Sequence, residues 1–292
     1  MTPYIIYHGK CADGFTAAWL ANRYFHQYLF MTSTVPEDWV VPHHGAVYGE
    51  RPPIADLAGK DVFILDFSYP RDVLKEIGLV ASSITIIDHH VSAAKDLANI
   101  AQDFAEGDYC PITPVFDMSR SGAYLTSQFF WPENDPCDMV KLVDDRDRWV
   151  FADARTRPFS ASLFSRPYKI GEWNRLSDTV AEAVVEGAAI ERKNAKDIED
   201  LLEVCLQFTE IAGHRVPTAN LSYMSASDAC HRMLEMHPDA PFAATWFKRG
   251  DGMFVYSLRS RTGSDIDVSV IAKKFGGGGH KHAAGLSVTA PL

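Results

Sequence analysis

Cysteine is scarce in this chain. Five occur in 292 residues (Cys11, Cys110, Cys137, Cys205 and Cys230), and no two form a CxxC pair. That excludes a disulfide framework and a structural zinc knuckle of paired thiolates, and it points to a reducing compartment. Positive charge is also short: 28 Lys and Arg stand against 38 Asp and Glu, a formal charge of −10. A broad basic face for long duplex DNA is therefore not expected, because non-specific DNA affinity comes from neutralising phosphates. A small phosphate pocket survives that exclusion. So does a metal site, since each divalent ion cancels two carboxylate charges. No apolar run is long enough to span a bilayer, so no membrane partner is expected. Residues 1–7 enter a strand-like stretch without a basic or apolar leader, which predicts no signal peptide and a cytoplasmic location. Low-complexity tracts and solenoid-type repeats are absent from the sequence.

What is present is the composition of a soluble globular protein, 47% hydrophobic and 23% charged. The length suits one large or two ordinary domains. Tyr4-Ile5-Ile6-Tyr7 is short and β-prone, His8 to Gly14 is a polar turn, and Phe15 to Phe30 favours helix. The pattern recurs. Asp61 to Asp66 reads as a buried strand ending in a carboxylate, Arg71 to Val80 as a helix behind Pro70, and Ser83 to Ile87 as a strand running into Asp88-His89-His90. Alternating strands and helices predict an α/β fold with a parallel sheet, and polar residues gather where such sheets bind ligands, beyond the C-terminal strand ends. Residues 120–130 and 137–143 look helical and lead into Asp144-Asp145-Arg146-Asp147-Arg148-Trp149. Gly171 to Ile211 is helix-prone and charged with no strand signal. After about residue 215 the α/β rhythm resumes, with strands expected at Asn220–Met224, Phe242–Phe247, Phe254–Arg259 and Leu286–Val288, and a helix at Asp267–Phe275. The expected division is a catalytic domain over 1–155, a helical connector over 156–214 and a smaller α/β domain over 215–292.

Five polar clusters stand out: His8/Cys11/Asp13, Asp66, Asp88-His89-His90, Asp144/Asp145/Asp147, and Arg259 with Gly276 to His282. Singly, a carboxylate after a strand is more often a turn former or helix cap, and a histidine is more often structural. Together at neighbouring strand ends, unneutralised carboxylates would repel one another. A divalent cation removes that cost, and mixed carboxylate and imidazole ligation suits Mn²⁺, Mg²⁺ or Fe²⁺. The donors exceed one ion's needs, which points to two ions ~3.5–4 Å apart, bridged by a carboxylate and a hydroxide, as phosphoester hydrolysis uses. In the last cluster, successive amides of Gly276 to Gly279 can form an anion nest, flanked by His280, and Arg259 and Ser260 end the preceding strand. The bland alternative is a tight glycine turn between helix and strand.

The segments HGKCADG, ILDF, IIDHH, VDDRDRW and FGGGGHKHAAG, in this order over nearly the whole chain, resemble the motifs of the DHH-family phosphoesterases with their C-terminal associated domain. The resemblance implies two α/β lobes with an active-site cleft between them, and Mn²⁺-dependent cleavage of phosphoesters. Carried over by position, His8 and Asp13 match metal ligands, Asp66 the carboxylate bridging two ions, and His89 a ligand of the second ion. Asp88 and His90 match supporting catalytic groups. The last ligand is Asp145, with Asp144 next and Asp147 the outside candidate. Substrate contacts fall to Arg259, Ser260, Gly277, Gly278, Gly279 and His280. One position departs from the pattern: Cys11 stands where the family usually has an aspartate. It is either a thiolate ligand or a small turn residue.

The function expected is hydrolysis of small nucleotide substrates: short oligonucleotides, as in a nanoRNase or oligoribonuclease, cyclic dinucleotides, or 3′,5′-bisphosphorylated nucleotides. A single-strand exonuclease is the runner-up, disfavoured by the lack of a long basic stripe. A pyrophosphatase ranks below it. A degenerate nucleotide sensor is the alternative from another class, invited only by Cys11. A homodimer is compatible with the sequence.

Overall fold

The computed structural model describes residues 1–31 and 39–292. It divides into two units, Met1–Glu191 and Arg192–Leu292. In the first, β1 (Pro3–His8) leads to α1 (Ala12–Met31), β2 (His43–Ala46), β3 (Asp61–Leu65), α2 (Arg71–Gly78), β4 (Ser83–Asp88), α3 (Val91–Asp96), α4 (Ile100–Glu106) and β5 (Ile112–Phe116). The helices α5 (Gly122–Phe130), α6 (Asp138–Asp147), α7 (Thr156–Phe164) and α8 (Ile170–Asp178) follow, and α9 (Val180–Cys205) carries the chain into the second unit.

The five strands form one parallel sheet in the order β2-β1-β3-β4-β5. The period-two alternation of its strands splits their apolar residues between two cores. Ile5, Phe63, Leu65 and Ile87 face the core of α1, α5, α6, α7 and α8, whereas Tyr4, Ile6, Val62, Ile64, Ile84 and Ile86 face that of α2 and α4. A sheet covered on both faces explains why its strands read as continuous apolar runs. Because β1 lies between β2 and β3, the winding reverses there, and the crevice beyond the ends of β1 and β3 is the topological switch point at which such sheets bind ligands.

Residues 156 to 191 are not a separate connector. Phe159 and Leu163 of α7 and Trp173 and Leu176 of α8 are buried in the first unit's core. The Trp173 ring lies 4.7 Å from Phe15, and its Nε1 donates to Thr16 Oγ1 at 2.9 Å. The second unit holds β6 (Leu206–Ile211), β7 (His214–Asn220), α10 (Ala226–Met236), β8 (Ala243–Lys248), β9 (Phe254–Arg259), α11 (Val268–Lys273), β10 (Gly278–His280) and β11 (Ala283–Val288). Its sheet runs β10-β11-β9-β8-β7-β6, with β7 and β8 parallel and all other pairs antiparallel. Residues 206–211, expected as helix, form an edge strand because β7 offers them a full ladder. The strand expected at Asn220–Met224 ends at Asn220, where Ser222 accepts from Met224 N and starts a 3₁₀ turn. Among the described residues no helix is long and apolar enough to cross a membrane.

Candidate metal centre

Asp66 follows β3 directly and is the centre of the site. Its backbone is left-handed, φ 54°, a conformation uncommon outside glycine, and its carboxylate is buried. The surroundings enforce it: Gly122, at the start of α5, packs so closely that a Cβ there would lie 2.5 Å from the Asp66 Cβ. Asp66 Oδ2 is 3.4 Å from His8 Nδ1, and Oδ1 is 3.1 Å from His89 Nε2. Both oxygens are buried, and among the described residues neither has a polar partner apart from these two imidazoles. The two oxygens therefore face different imidazoles. His8 ends β1, and Gly14 lets α1 close on it, since a Cβ at Gly14 would lie 2.4 Å from the His8 carbonyl oxygen.

Asp88 ends β4 fully buried and turns inward. Its Oδ1 accepts from the amides of His89 (2.7 Å) and His90 (3.2 Å) and sits 2.5 Å from His90 Nδ1, while Oδ2 accepts from Ser68 Oγ at 2.6 Å. Asp88 is thus the brace of His90. A carboxylate on Nδ1 leaves Nε2 as the ligating nitrogen of such a ring. Two trios of donor atoms result, each within 4.8 Å of one another: His8, Asp66 and His90, and Asp13, His89 and Asp147.

The structure groups Asp147 with the site, where the sequence favours Asp145. Asp147 Oδ2 is 3.6 Å from His89 Nε2. Asp145 points elsewhere: it accepts from the amides of Ala152 (2.9 Å) and Asp153 (3.2 Å) and from Thr156 Oγ1, fixing the turn into α7. Asp144 accepts from Ser121 N at 2.7 Å and from Arg148 Nη1 at 3.2 Å. The helix explains the exchange, because residues two apart on α6 point about 200° apart. Asp13 accepts from the amides of Gly122 (2.6 Å) and Ala123 (3.1 Å) at the start of α5. Cys11 belongs to neither trio. Burial and the carboxylates of Asp66, Asp147 and Asp13 push its thiol well above the usual range.

The electrostatics of the cluster favour positive charge. Burial and the charges of Asp66 and Asp147 push the Asp13 carboxyl well up, and burial together with Asp66 raises that of Asp147. Burial opposes charge on Asp66 as well, but His8 and His89 hold it well below the ordinary carboxylate range. His89 resists its own burial and, against Asp66, Asp147 and Asp13, is pushed up to about 10. Three carboxylates and three imidazoles, the buried Asp66 facing two of the latter, fit divalent ions of the Mn²⁺ or Mg²⁺ kind.

In the second unit the glycine run has a different role from the one expected. Gly277 N donates to Ala272 O (2.9 Å) and Gly276 N to Lys273 O (3.1 Å), with Gly276 at φ 76°. These bonds close α11 in a Schellman motif, which takes both amides out of any anion nest. Gly278 and Gly279 pair with Gly285 and Ala284 in the edge ladder. The Ser260 hydroxyl is buried and used, donating to Ile266 O and lying 2.9 Å from His282 Nδ1. Arg259 and His280 remain. Both are in register with Ala283, which places them in one row and on one face across β9, β11 and β10. The Arg259 guanidinium donates to Ser227 Oγ and to its neighbour's carbonyl, both at 2.9 Å.

The architecture is that of a class of two-unit α/β proteins with a carboxylate–imidazole centre at the switch point of a parallel sheet. No family model matches the chain. The uncharacterized protein R106 of Acanthamoeba polyphaga mimivirus is 27% identical over 296 residues, covering 97% of this chain and 66% of that relative. This chain thus spans just under two thirds of the relative's length. Among solved structures, the DHH domain of a member of a family of ribosomal proteins matches with a TM-score of 0.63 and 15% identity, over 97% of this chain and 82% of that one. A pGpG-specific phosphodiesterase, PggH from Vibrio cholerae, matches with a TM-score of 0.52 and 12% identity, over 99% and 93%. RecJ from Thermus thermophilus, in complex with Mn²⁺, matches with a TM-score of 0.51 and 15% identity, over 98% and 49%. The fold of this chain is that of the DHH-domain proteins.

Proposed function

We propose that this chain is a metal-dependent phosphoesterase of the DHH type that hydrolyses small nucleotide substrates. The observation that carries the reading is Asp66, held left-handed and buried, with one oxygen toward His8 of its own donor trio and the other toward His89 of the second. Bound divalent ions, Mn²⁺ in the first instance, would polarise the phosphoryl oxygens and activate water. The chain's own residues do the rest. His8, Asp66 and His90 would hold one ion, and Asp13, His89 and Asp147 the other, with Asp66, whose Oδ1 is 3.1 Å from His89 Nε2, the carboxylate that would be shared between them. Asp88 fixes the direction of His90, so that Nε2 is the nitrogen that would ligate.

The second unit offers Arg259 and His280, in one row across the sheet, for a substrate phosphate or terminal group. Arginine suits this role because its planar fork matches phosphate oxygens. Substrates of one or a few nucleotides are favoured by the net charge of −10, which works against holding a long polyanion. The pGpG specificity of one structural neighbour agrees with this size; RecJ, an exonuclease, favours the exonuclease reading, which stays second. The experiment is a Mn²⁺-supplemented hydrolysis assay on single-stranded oligonucleotides from two to about twenty residues, spanning the ~4–16 nucleotide sites of dedicated single-strand binders, together with cyclic dinucleotides and 3′,5′-bisphosphorylated adenosine. kcat/KM should fall steeply beyond a few residues. A rate that rises with length and plateaus above about ten would establish the exonuclease, and no turnover on any substrate would leave a nucleotide-binding protein.

A further inference from the structure

Tyr48 lies on the turn that follows β2, beyond the same sheet end as His8, Asp66 and His90. Glu50 N donates to Val47 O at 3.0 Å and Gly49 takes φ 88°, so the turn is closed and its path is fixed. The ring is held from beneath. Its centroid is 4.7 Å from that of the buried Phe67, and it meets the His8 and His90 rings edge-on at 5.5 and 6.2 Å. Yet Tyr48 is 54% exposed. These contacts leave about half of the residue exposed, beside two imidazoles of the donor trios. A phosphoester seated on those trios carries a nucleobase one sugar away, and a flat π-face is what an unpaired base stacks on.

Resting on the phosphoesterase reading above, we propose that Tyr48 is the stacking platform for the nucleobase adjoining the scissile phosphate. Every base has a π-face, so the platform accepts all four bases and discriminates against phosphoesters that carry none. The hydroxyl is not needed for this.

The test uses the full chain loaded with Mn²⁺. Wild type, Tyr48→Ala and Tyr48→Phe are assayed on a dinucleotide and on the same dinucleotide with each base in turn replaced by an abasic sugar. Tyr48→Ala should lower kcat/KM on the dinucleotide by about 5- to 100-fold, mainly through KM, as loss of one stacked base does. Tyr48→Phe should stay within about twofold of wild type, since the π-face is kept. On one of the two abasic substrates the loss in Tyr48→Ala should shrink to about twofold, because the partner of the ring is already gone. Equal losses on all three substrates would mean that the ring only steadies His8 and His90, and would overturn the platform. So would Tyr48→Phe failing as badly as Tyr48→Ala. If wild type cleaves no phosphoester, the enzymatic reading fails by itself, and fluorescence of a 2-aminopurine dinucleotide then decides the platform. A Kd weakened about fivefold or more in Tyr48→Ala supports it, and an unchanged Kd overturns it.

Discussion

Alanine at Asp145 and at Asp147 should have opposite consequences, although the two aspartates are separated by one residue. Asp145 braces the turn into α7 by accepting two backbone N–H groups and the Thr156 hydroxyl. Hydrogen bonds to a charged acceptor are worth ~1.5–3 kcal/mol each at best, and the freed amides regain some water, so Asp145→Ala should cost about 2–4 kcal/mol. For a domain of this size that is a Tm lowered by about 5–15 °C. Asp147 sits near Asp66 in a site that pushes its carboxyl up. Removing it relieves repulsion, so metal-free Asp147→Ala should melt within about 2 °C of wild type. Saturating Mn²⁺ reverses the comparison. At a hundred times Kd a ligand adds ~2.7 kcal/mol to the folded state, a rise of about 5–10 °C. Asp145→Ala should gain that full increment from its lower start, and Asp147→Ala should gain little. The assay is thermal melting with and without MnCl₂. Loss of the Mn²⁺ increment in Asp145→Ala, with its retention in Asp147→Ala, would refute the assignment of the two residues.

Other outcomes follow from the same geometry. Asp88→Asn weakens the hold on His90 Nδ1, so Mn²⁺ affinity should fall about 10- to 100-fold; calorimetric titration giving an unchanged Kd would contradict the bracing role. His89 is held protonated up to about 10 without metal, whereas ligation needs the neutral ring. Mn²⁺ affinity should therefore fall as pH drops from 9 to 6, and uptake should release protons; titrations in two buffers of different ionisation enthalpy would detect this, and a pH-independent Kd would count against His89. Gly277→Ala would bring a Cβ to 2.2 Å from the Gly285 carbonyl oxygen. It should destabilise the second unit by about 2 kcal/mol or more; a denaturation midpoint equal to wild type would contradict the packing.

The sequence carried the site's skeleton because three of its anchors follow strands with unmistakable apolar runs. His8, Asp66 and Asp88-His89-His90 needed only those runs to be located at strand ends. Strand order is not readable from pattern, and β2 and β5 give no strand signal: His43–Ala46 is too short and polar, and Ile112–Phe116 carries Pro114. The helical connector expected over 156–214 takes in α7 and α8 without saying which core they complete, since that depends on Phe15 and Thr16 far away in the chain. The choice among Asp144, Asp145 and Asp147 turned on the rotation of one helix end, which spacing does not determine. His90 joins the donor atoms of a trio because Asp88 occupies its other nitrogen, a tertiary fact. The glycine run satisfies the composition of a nest and of a helix terminator alike, and only the hydrogen-bond partners of Gly276 and Gly277 separate them. Tyr48 had no signal, because the stretch between β2 and β3 shows neither helical nor strand periodicity and only the fold brings it beside His8 and His90.

The proposal that most needs testing is that Asp66, set between His8 of one donor trio and His89 of the other, would join two ions. Electron paramagnetic resonance of the Mn²⁺-loaded chain tests it directly, with metal content measured on the same sample. The account predicts two ions per chain with the broadened spectrum of a spin-coupled pair, ~3.5–4 Å apart, and loss of that coupling in Asp66→Asn, whose side chain tolerates the left-handed backbone. A single uncoupled six-line signal at one ion per chain in the wild type, unchanged by Asp66→Asn, would contradict it.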